Sequence, residues 1–340
     1  MRSANLRITF DISAAVHHHA GLGRYAQELL VALMAVDHAN EYQAFYHAAS
    51  ADEKPDAPLD GIRARRMSLS AKPWRMSVLM AYLTGVRMDR WLPRGDIFHA
   101  TEHLLPLMGS CKTVFTIHDL VFRFFPEYHL PLNRWYLSLM LPRFMQRADA
   151  IIAVSEHTRG DVSRLMGIPR ERITVVYEGV HPDFHPIHDP EELMRVREKY
   201  RLPERFILYL STIEPRKNVA GLLHAYRCLL DRGDTTLDLV IAGRKGWLYE
   251  PVFQAVRELG LEERVHFTGW VAKGDAPALF NSAQVFVYPS FYEGFGLPPL
   301  EAMACGIPVV CSNAASLPEV VGDAAILVSP RDVGEMANAI

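Results

Sequence analysis

The chain reads as an α/β protein of two parallel-sheet domains, and three observations carry that reading. Short apolar runs alternate with helical stretches from end to end, the pattern of sheets covered on both faces. A polar stretch without periodicity interrupts that alternation near the middle. In the second half, a basic loop and a glycine-rich loop each follow a strand and open a helix, as at the carboxyl edge of a parallel sheet, where ligands bind. The 340 residues suffice for two domains that each bury a core.

In the first half, strands are expected near residues 7–12, 42–47, 96–99, 113–117, 150–154 and 173–177. In the second half they fall near 206–211, 237–242, 265–268, 285–288, 308–311 and 325–328. The aperiodic stretch runs from Gly179 through His181-Pro182-Asp183-Phe184-His185-Pro186 to Asp189-Pro190. The expected division is a first domain over 1–183, a hinge and connecting segment over 184–203, and a second domain over 204–340. Two sheets joined in this way would hold a ligand in the cleft between them. Val333 to Ile340 has the pattern of a helix opening.

The segment Glu293-Gly294-Phe295-Gly296-Leu297-Pro298-Pro299-Leu300-Glu301 places one carboxylate on a glycine loop and a second in what reads as the first turn of a helix. Gly294 and Gly296 let the backbone approach a ligand, with amides facing an anion at the positive helix end. Carboxylates beside such a site suit sugar and ribose hydroxyls. The alternative is a plain turn in which Glu301 complements the helix dipole.

A second segment favours a ligand. Phe206 to Leu210 reads as a buried strand, Thr212-Ile213-Glu214-Pro215-Arg216-Lys217-Asn218 as a loop, and Val219 to Leu230 as a helix with Asn218 at its N-cap. Arg216 and Lys217 then lie at a helix start, where positive charge is disfavoured by about 0.3–1 kcal/mol. An anion at the site resolves that conflict; the alternative is two solvated surface charges.

With these residues in view, the chain resembles the group 1 family of retaining nucleotide-sugar glycosyltransferases. The matching pieces are Gly21-Leu22-Gly23-Arg24-Tyr25, Thr116-Ile117-His118-Asp119, Ala153-Val154-Ser155-Glu156, Tyr177-Glu178-Gly179-Val180, Glu214-Pro215-Arg216-Lys217-Asn218, Ala242-Gly243 and the paired-glutamate segment. They run in family order over essentially the whole chain, and the wording Glu-Pro-Arg-Lys-Asn is similar to bacterial mannosyltransferases. The resemblance implies the GT-B fold: two Rossmann-like domains facing each other across a cleft, the first on the acceptor side and the second binding the nucleotide sugar. Relatives usually continue with further helices beyond the point where this chain stops, which marks it as a fragment or a short member.

By that resemblance, Glu293 binds hydroxyls of the transferred sugar and Glu301 the nucleotide ribose. Arg216 and Lys217 bind the diphosphate, with backbone amides of Phe295, Gly296 and Leu297 and the close approach at Gly294 and Gly243. Gly21 and Gly23 form a loop closing over the donor phosphates and the acceptor. His118 hydrogen-bonds the transferred sugar, and Asp119 stabilises the local turn. The leaving phosphate takes the acceptor proton, so that the anomeric configuration is retained. GDP-mannose is the favoured donor and the acceptor is a glycan, lipid-linked if the chain sits on a membrane.

Other features bound the reading. Gly21-Leu22-Gly23-Arg24-Tyr25-Ala26 fits a dinucleotide fingerprint but lies about nine residues past its strand and lacks the ribose-binding acid, so no nicotinamide or flavin is expected. His17-His18-His19 cannot converge on one metal and no Asp-x-Asp segment occurs, so no metal cofactor is expected. The formal net charge of −3 gives no hint of nucleic acid. No signal peptide, membrane span or disulfide spacing of the four cysteines is evident, which points to the cytoplasm. Residues 63–94 carry Arg63, Arg65, Arg66, Lys72, Arg75, Arg87, Arg90 and Arg94 against Asp89 alone, together with Trp74, Met76, Leu79, Met80, Leu83 and Trp91. That reads either as a basic amphipathic helix on an anionic inner-membrane surface or as a core-facing helix with a solvated basic face. Three rival functions remain: a glycoside hydrolase using Glu293 and Glu301 as acid and nucleophile, a GT-B sugar-nucleotide epimerase, and a non-catalytic nucleotide-sugar-binding protein.

Overall fold

The computed structural model describes residues 5–340. The chain divides into two compact units, one ending at Tyr177 and the other running from Glu178 to Ile340.

In the first unit the strands are β1 (Arg7–Asp11), β2 (Glu41–His47), β3 (Ala64–Met67), β4 (Ile97–Ala100), β5 (Lys112–Ile117), β6 (Ala150–Ala153) and β7 (Ile173–Val175). They form one parallel sheet in the order β3-β2-β1-β4-β5-β6-β7. Successive side chains of a strand enter opposite faces, so β2 sends Ala44 and Tyr46 into a cluster with Phe10, Ile12 and Leu30. Phe45 points the other way, towards Trp74, Phe98 and Phe115. From β1 the chain adds β2 and β3 on one side and then β4 to β7 on the other, and this reversal of strand order makes the β1/β4 edge the topological switch point.

The second unit holds β8 (Phe206–Leu210), β9 (Asp238–Ala242), β10 (Val265–Gly269), β11 (Val285–Tyr288), β12 (Val309–Ser312) and β13 (Ile326–Val328). Their order, β10-β9-β8-β11-β12-β13, is again all parallel. Strands buried on both faces need continuous apolar sequence, and Phe206-Ile207-Leu208-Tyr209 and Val285-Phe286-Val287-Tyr288 supply it without a polar break. The switch point here lies between β8 and β11.

Four expectations change. The division falls after Tyr177 rather than after residue 183, and 184–203 lies in the second unit. The reason is chemical: the helix Pro190–Tyr200 is tied to buried Asp275 by Arg195 (2.8 Å), Lys199 (2.5 Å) and Tyr200 (2.8 Å). Phe184 also packs edge-on against Phe280. Residues 63–94 are not one amphipathic helix but β3, the helix Ala71–Thr84 and a short turn at Asp89–Trp91. Trp74 is buried against Phe45, ring centroids 5.3 Å apart, and is withdrawn from any surface role. Gly21 and Gly23 lie not in a loop but in the first turns of the helix Ala20–Val36. A Cβ on Gly23 would come within 2.6 Å of the Ala14 carbonyl, so that glycine serves helix packing. Glu301 sits one turn inside the helix Leu297–Ala304, which starts four residues earlier than its carboxylate.

Candidate active site

The second switch point gathers the predicted residues. The loop after β8 turns through a 3-10 turn, Pro215–Lys217, and Asn218 takes a left-handed φ of 56° to start the helix Val219–Arg232. Asn218 occupies the N-cap position but does not cap with its side chain. Its Nδ2 donates instead to the Pro289 carbonyl (3.1 Å) and the Pro330 carbonyl (2.7 Å), stitching the β8 loop to the loops after β11 and β13. The Phe291 amide donates to the Arg216 carbonyl at 2.9 Å, a second stitch. Ser316 Oγ lies 2.9 Å from the Glu293 carbonyl and 2.6 Å from the Phe295 carbonyl, which fixes the Glu293–Phe295 backbone. Gly296, with φ 116° and the Leu317 side chain where a Cβ would be, turns the chain into the helix Leu297–Ala304.

Within this frame four charges meet. Arg216 donates to Glu214 Oε1 (2.7 Å), to Glu293 Oε2 (2.7 Å) and to the Tyr292 carbonyl (2.7 Å). Lys217 Nζ donates to Glu293 Oε1 and to the Tyr288 hydroxyl at 2.7 and 2.6 Å. Glu214, Lys217 and Glu293 are buried and Arg216 is half-buried. Such charges persist inside a protein only when paired and hydrogen-bonded. Burial pushes the Glu293 carboxyl up, but Arg216 and Lys217 outweigh it and hold it at about 2. The Lys217 ammonium is pulled below its ordinary range by burial and by Arg216, against the attraction of Glu293 and Glu214. Arg216 and Lys217 are therefore already balanced by two carboxylates rather than waiting uncompensated for an anion. A polyanion entering here must share these cations with Glu214 and Glu293.

Gly243 stands one strand over, at the end of β9, with φ 139°. A Cβ there would fall 1.9 Å from the Ser211 carbonyl. Its glycine requirement thus comes from the close passage of the β8 and β9 loops. Buried Glu301 lies within the helix that Gly296 opens.

The remaining predicted residues belong to the first unit. His118 follows β5, is buried, and its Nε2 lies 2.9 Å from the Thr101 carbonyl. A carbonyl only accepts, so Nε2 carries the proton. Tyr25, two residues past Gly23, meets the His118 ring edge-on at 4.6 Å and pairs its hydroxyl with Thr116 Oγ1 at 3.1 Å. Asp119 accepts the Val121 amide at 3.1 Å, the turn role expected of it. Gly21 has open space where a Cβ would be and shows no steric need for glycine.

Two groups escaped the sequence reading. Glu214 completes the charge set and the neutral Tyr288 hydroxyl accepts from Lys217, yet each reads as an ordinary loop or strand residue. The signal for Glu214 was its place directly before Pro215, at the head of the 3-10 turn that carries Arg216 back to its carboxylate. At the first switch point, Asp11 accepts the Ser13 amide (2.9 Å) and hydroxyl (2.6 Å) while its second oxygen is buried without a hydrogen bond. Burial pushes the Asp11 carboxyl up to about 6 and Glu102 to about 7, with Asp11 adding to the latter. Among the described residues, no group of three or more His, Cys, Asp and Glu could hold a metal ion.

Comparison with known proteins agrees with this geometry. The pattern described as "Glycosyl transferases group 1" matches residues 191–340, and that described as "Glycosyltransferase Family 4" matches 19–184. The O-antigen chain mannosyltransferase B of Escherichia coli is 36% identical over 98% of this chain and 90% of its own length. The serotype-specific mannosyltransferase WbdA of the same species is 38% identical over 67% of this chain, a match that spans 29% of WbdA. Among solved structures, the sucrose-phosphate synthase (tll1590) of Thermosynechococcus elongatus superposes with a TM-score of 0.75 at 19% identity, covering 98% of this chain and 88% of that one. Anabaena HepE, solved with UDP and glucose, gives 0.71 at 20% identity over the same shares. These last two speak for the GT-B fold alone. Two all-parallel units, a charged switch-point site and a relative matched nearly end to end converge: the chain belongs to the group 1 glycosyltransferases.

Proposed function

We propose that the protein transfers mannose from GDP-mannose to an acceptor hydroxyl in polysaccharide synthesis, with retention of anomeric configuration and without a metal ion. The observation that carries this reading is the buried, charge-balanced set Glu214, Arg216, Lys217 and Glu293 at the β8/β11 switch point. The end-to-end likeness to an O-antigen chain mannosyltransferase supplies the sugar and the polymer. In this proposal Arg216 and Lys217 take the donor diphosphate, aided by backbone amides of Gly294, Phe295, Gly296 and Leu297, and neutralise it as it departs. Glu293 accepts hydroxyls of the mannose, Glu301 those of the ribose, and His118 hydrogen-bonds the transferred sugar. The leaving phosphate accepts the acceptor proton.

The state of Glu293 supports this over the hydrolase reading. A carboxyl held at about 2 carries a proton in roughly one molecule in 10⁵ at pH 7. It can accept hydroxyl protons in hydrogen bonds but cannot serve as a general acid, which needs a raised pKa. The epimerase and the non-catalytic alternatives lack an observation that favours them. Proton NMR of the first-formed product decides the reaction type. An α-mannoside from the α-linked donor, formed with EDTA present, is expected; a β-mannoside, free mannose alone or an isomerised donor would reject the proposal.

The acceptor we propose is a lipid-linked glycan at the inner membrane face. Lys72, Arg75, Arg87 and Arg90 are exposed beside Met76, Met80 and Leu83, which are also exposed. Mixed basic and apolar exposure of this kind suits an anionic bilayer surface. Among the described residues no helix is long and apolar enough to cross a membrane.

A further inference from the structure

We propose that the apolar cavity beside the helix Ala71–Thr84 takes one hydrocarbon chain of an anionic lipid. The cavity encloses about 370 Å³ and its wall includes Met67, Leu69, Trp74, Met80, Met88 and Trp91. That volume lies in the range of small-molecule sites, which are apolar pockets with few polar groups. The two hydroxyls on the wall are already used within the helix: Ser77 Oγ donates to the Pro73 carbonyl at 2.9 Å and Thr84 Oγ1 to the Met80 carbonyl at 2.7 Å. Water entering would find few partners, whereas methionine side chains adapt to a flexible chain. Met80 and Val86 line the cavity and remain 48% and 49% exposed, so the apolar wall continues out to solvent.

The rim is cationic. The Arg90 guanidinium stacks over the Trp91 ring at 3.9 Å, at the cavity wall. Arg65, on the same side of β3 as Met67, donates to the Leu92 carbonyl at 3.3 Å and the Arg90 carbonyl at 3.4 Å. Arg87 lies across Gly109. The single acid of the region, Asp89, has one carboxylate oxygen taken by the Gly109 amide, the Ser110 amide and the Ser110 hydroxyl. Those neutral donors keep Asp89 ionised, but Arg65, Arg87 and Arg90 outnumber it, so the region carries a net positive charge. A phosphate headgroup above the mouth meets arginine while one chain enters the cavity. Burial of the chain's apolar surface and attraction of the anionic headgroup to the basic rim then act together.

This inference rests on the membrane reading above and gives it a site, and the two fail separately. The probe is the full chain with vesicles of phosphatidylcholine, with or without about a third phosphatidylglycerol, carrying brominated acyl chains that quench tryptophan. Substituting Trp135, Trp247 and Trp270 by Phe leaves Trp74 and Trp91 as reporters. Quenching by the anionic vesicles and not by the neutral ones is expected. Thr84→Phe, which fills the mouth from an exposed position, is expected to weaken association about tenfold and to remove the quenching. Arg87→Glu with Arg90→Glu should weaken association while the cavity stays open. Far-UV circular dichroism and a cooperative thermal transition, both unchanged from the parent, report that the mutated first unit folds in each variant. No association with any vesicle would overturn both readings. Anionic association that Thr84→Phe leaves intact, with Trp74 and Trp91 unquenched, would overturn the cavity alone. Equal binding to neutral vesicles would overturn the anionic lipid.

Discussion

Glu293→Gln keeps the size of the side chain and removes one charge from a set that is neutral as built. Glu214 and Glu293 balance Arg216 and Lys217, and the Glu293 and Lys217 side chains are only 9% and 8% exposed. The variant leaves a surplus positive charge in that interior. A fall in the carboxyl pKa from 4.5 to about 2 corresponds to about 3 kcal/mol of stability at neutral pH. The cost of breaking a buried pair by removing one partner is of the same size, about 3–5 kcal/mol. The sign follows from the direction: the folded carboxyl has the lower pKa, so its contribution is complete above about 4.5 and fades as pH falls towards about 2. Urea unfolding of wild type and variant should therefore show a gap of about 3 kcal/mol at pH 7 that shrinks on acidification below pH 4.5. GDP should narrow the gap at pH 7, because its diphosphate supplies the missing counter-charge. A gap under about 1 kcal/mol at pH 7, or one that widens on acidification, would refute the account of this charge set.

Lys217→Ala deletes one of the two cations assigned to the diphosphate and should raise the donor KM about 10- to 100-fold, the value of a charge-assisted hydrogen bond; initial rates over a donor series measure it. His118→Ala should lower kcat with little change in GDP affinity measured by calorimetry, since its assigned contact is to the sugar. Gly243→Ala places a methyl group 1.9 Å from the Ser211 carbonyl at a φ of 139° and should cost about 3 kcal/mol or more in a urea titration. Asp275→Ala removes the common partner of Arg195, Lys199 and Tyr200 and should cost about 2–3 kcal/mol, with hydrogen exchange rising first in the helix Pro190–Tyr200.

The fold was legible wherever burial dictated the sequence. Strands such as Phe206–Leu210 and Val285–Tyr288 are covered on both faces, so their residues are uniformly apolar and stand out from any surroundings. β3 escaped notice because it is an edge strand: Ala64-Arg65-Arg66-Met67 pairs on one side only and buries little, so nothing forces an apolar pattern. Its arginines then merged with those of the next helix into one imagined amphipathic element. Trp74 was misplaced for a related reason, since a tryptophan in a basic stretch looks interfacial until Phe45 is found beneath it. The division falls earlier than the local pattern suggests because Asp275, the residue that anchors the helix Pro190–Tyr200, lies far along the chain. At the site, Arg216, Lys217 and Glu293 were visible as residues, but their mutual neutralisation was not. That relation depends on β8 and β11 being neighbours, a fact of topology that local sequence does not record. Tyr288 illustrates the limit: its ring reads as a strand residue, and only the register of β11 brings its hydroxyl to Lys217.

The most direct test of the central claim is calorimetric titration and initial-rate measurement on the full chain with GDP-mannose, UDP-glucose, UDP-N-acetylglucosamine and UDP-galactose, each with EDTA present. Binding heat and released nucleotide are expected with GDP-mannose, and binding about 10- to 100-fold weaker in Lys217→Ala. A response confined to a uridine donor, a response that needs a divalent ion, or undiminished GDP-mannose binding by Lys217→Ala would contradict the claim.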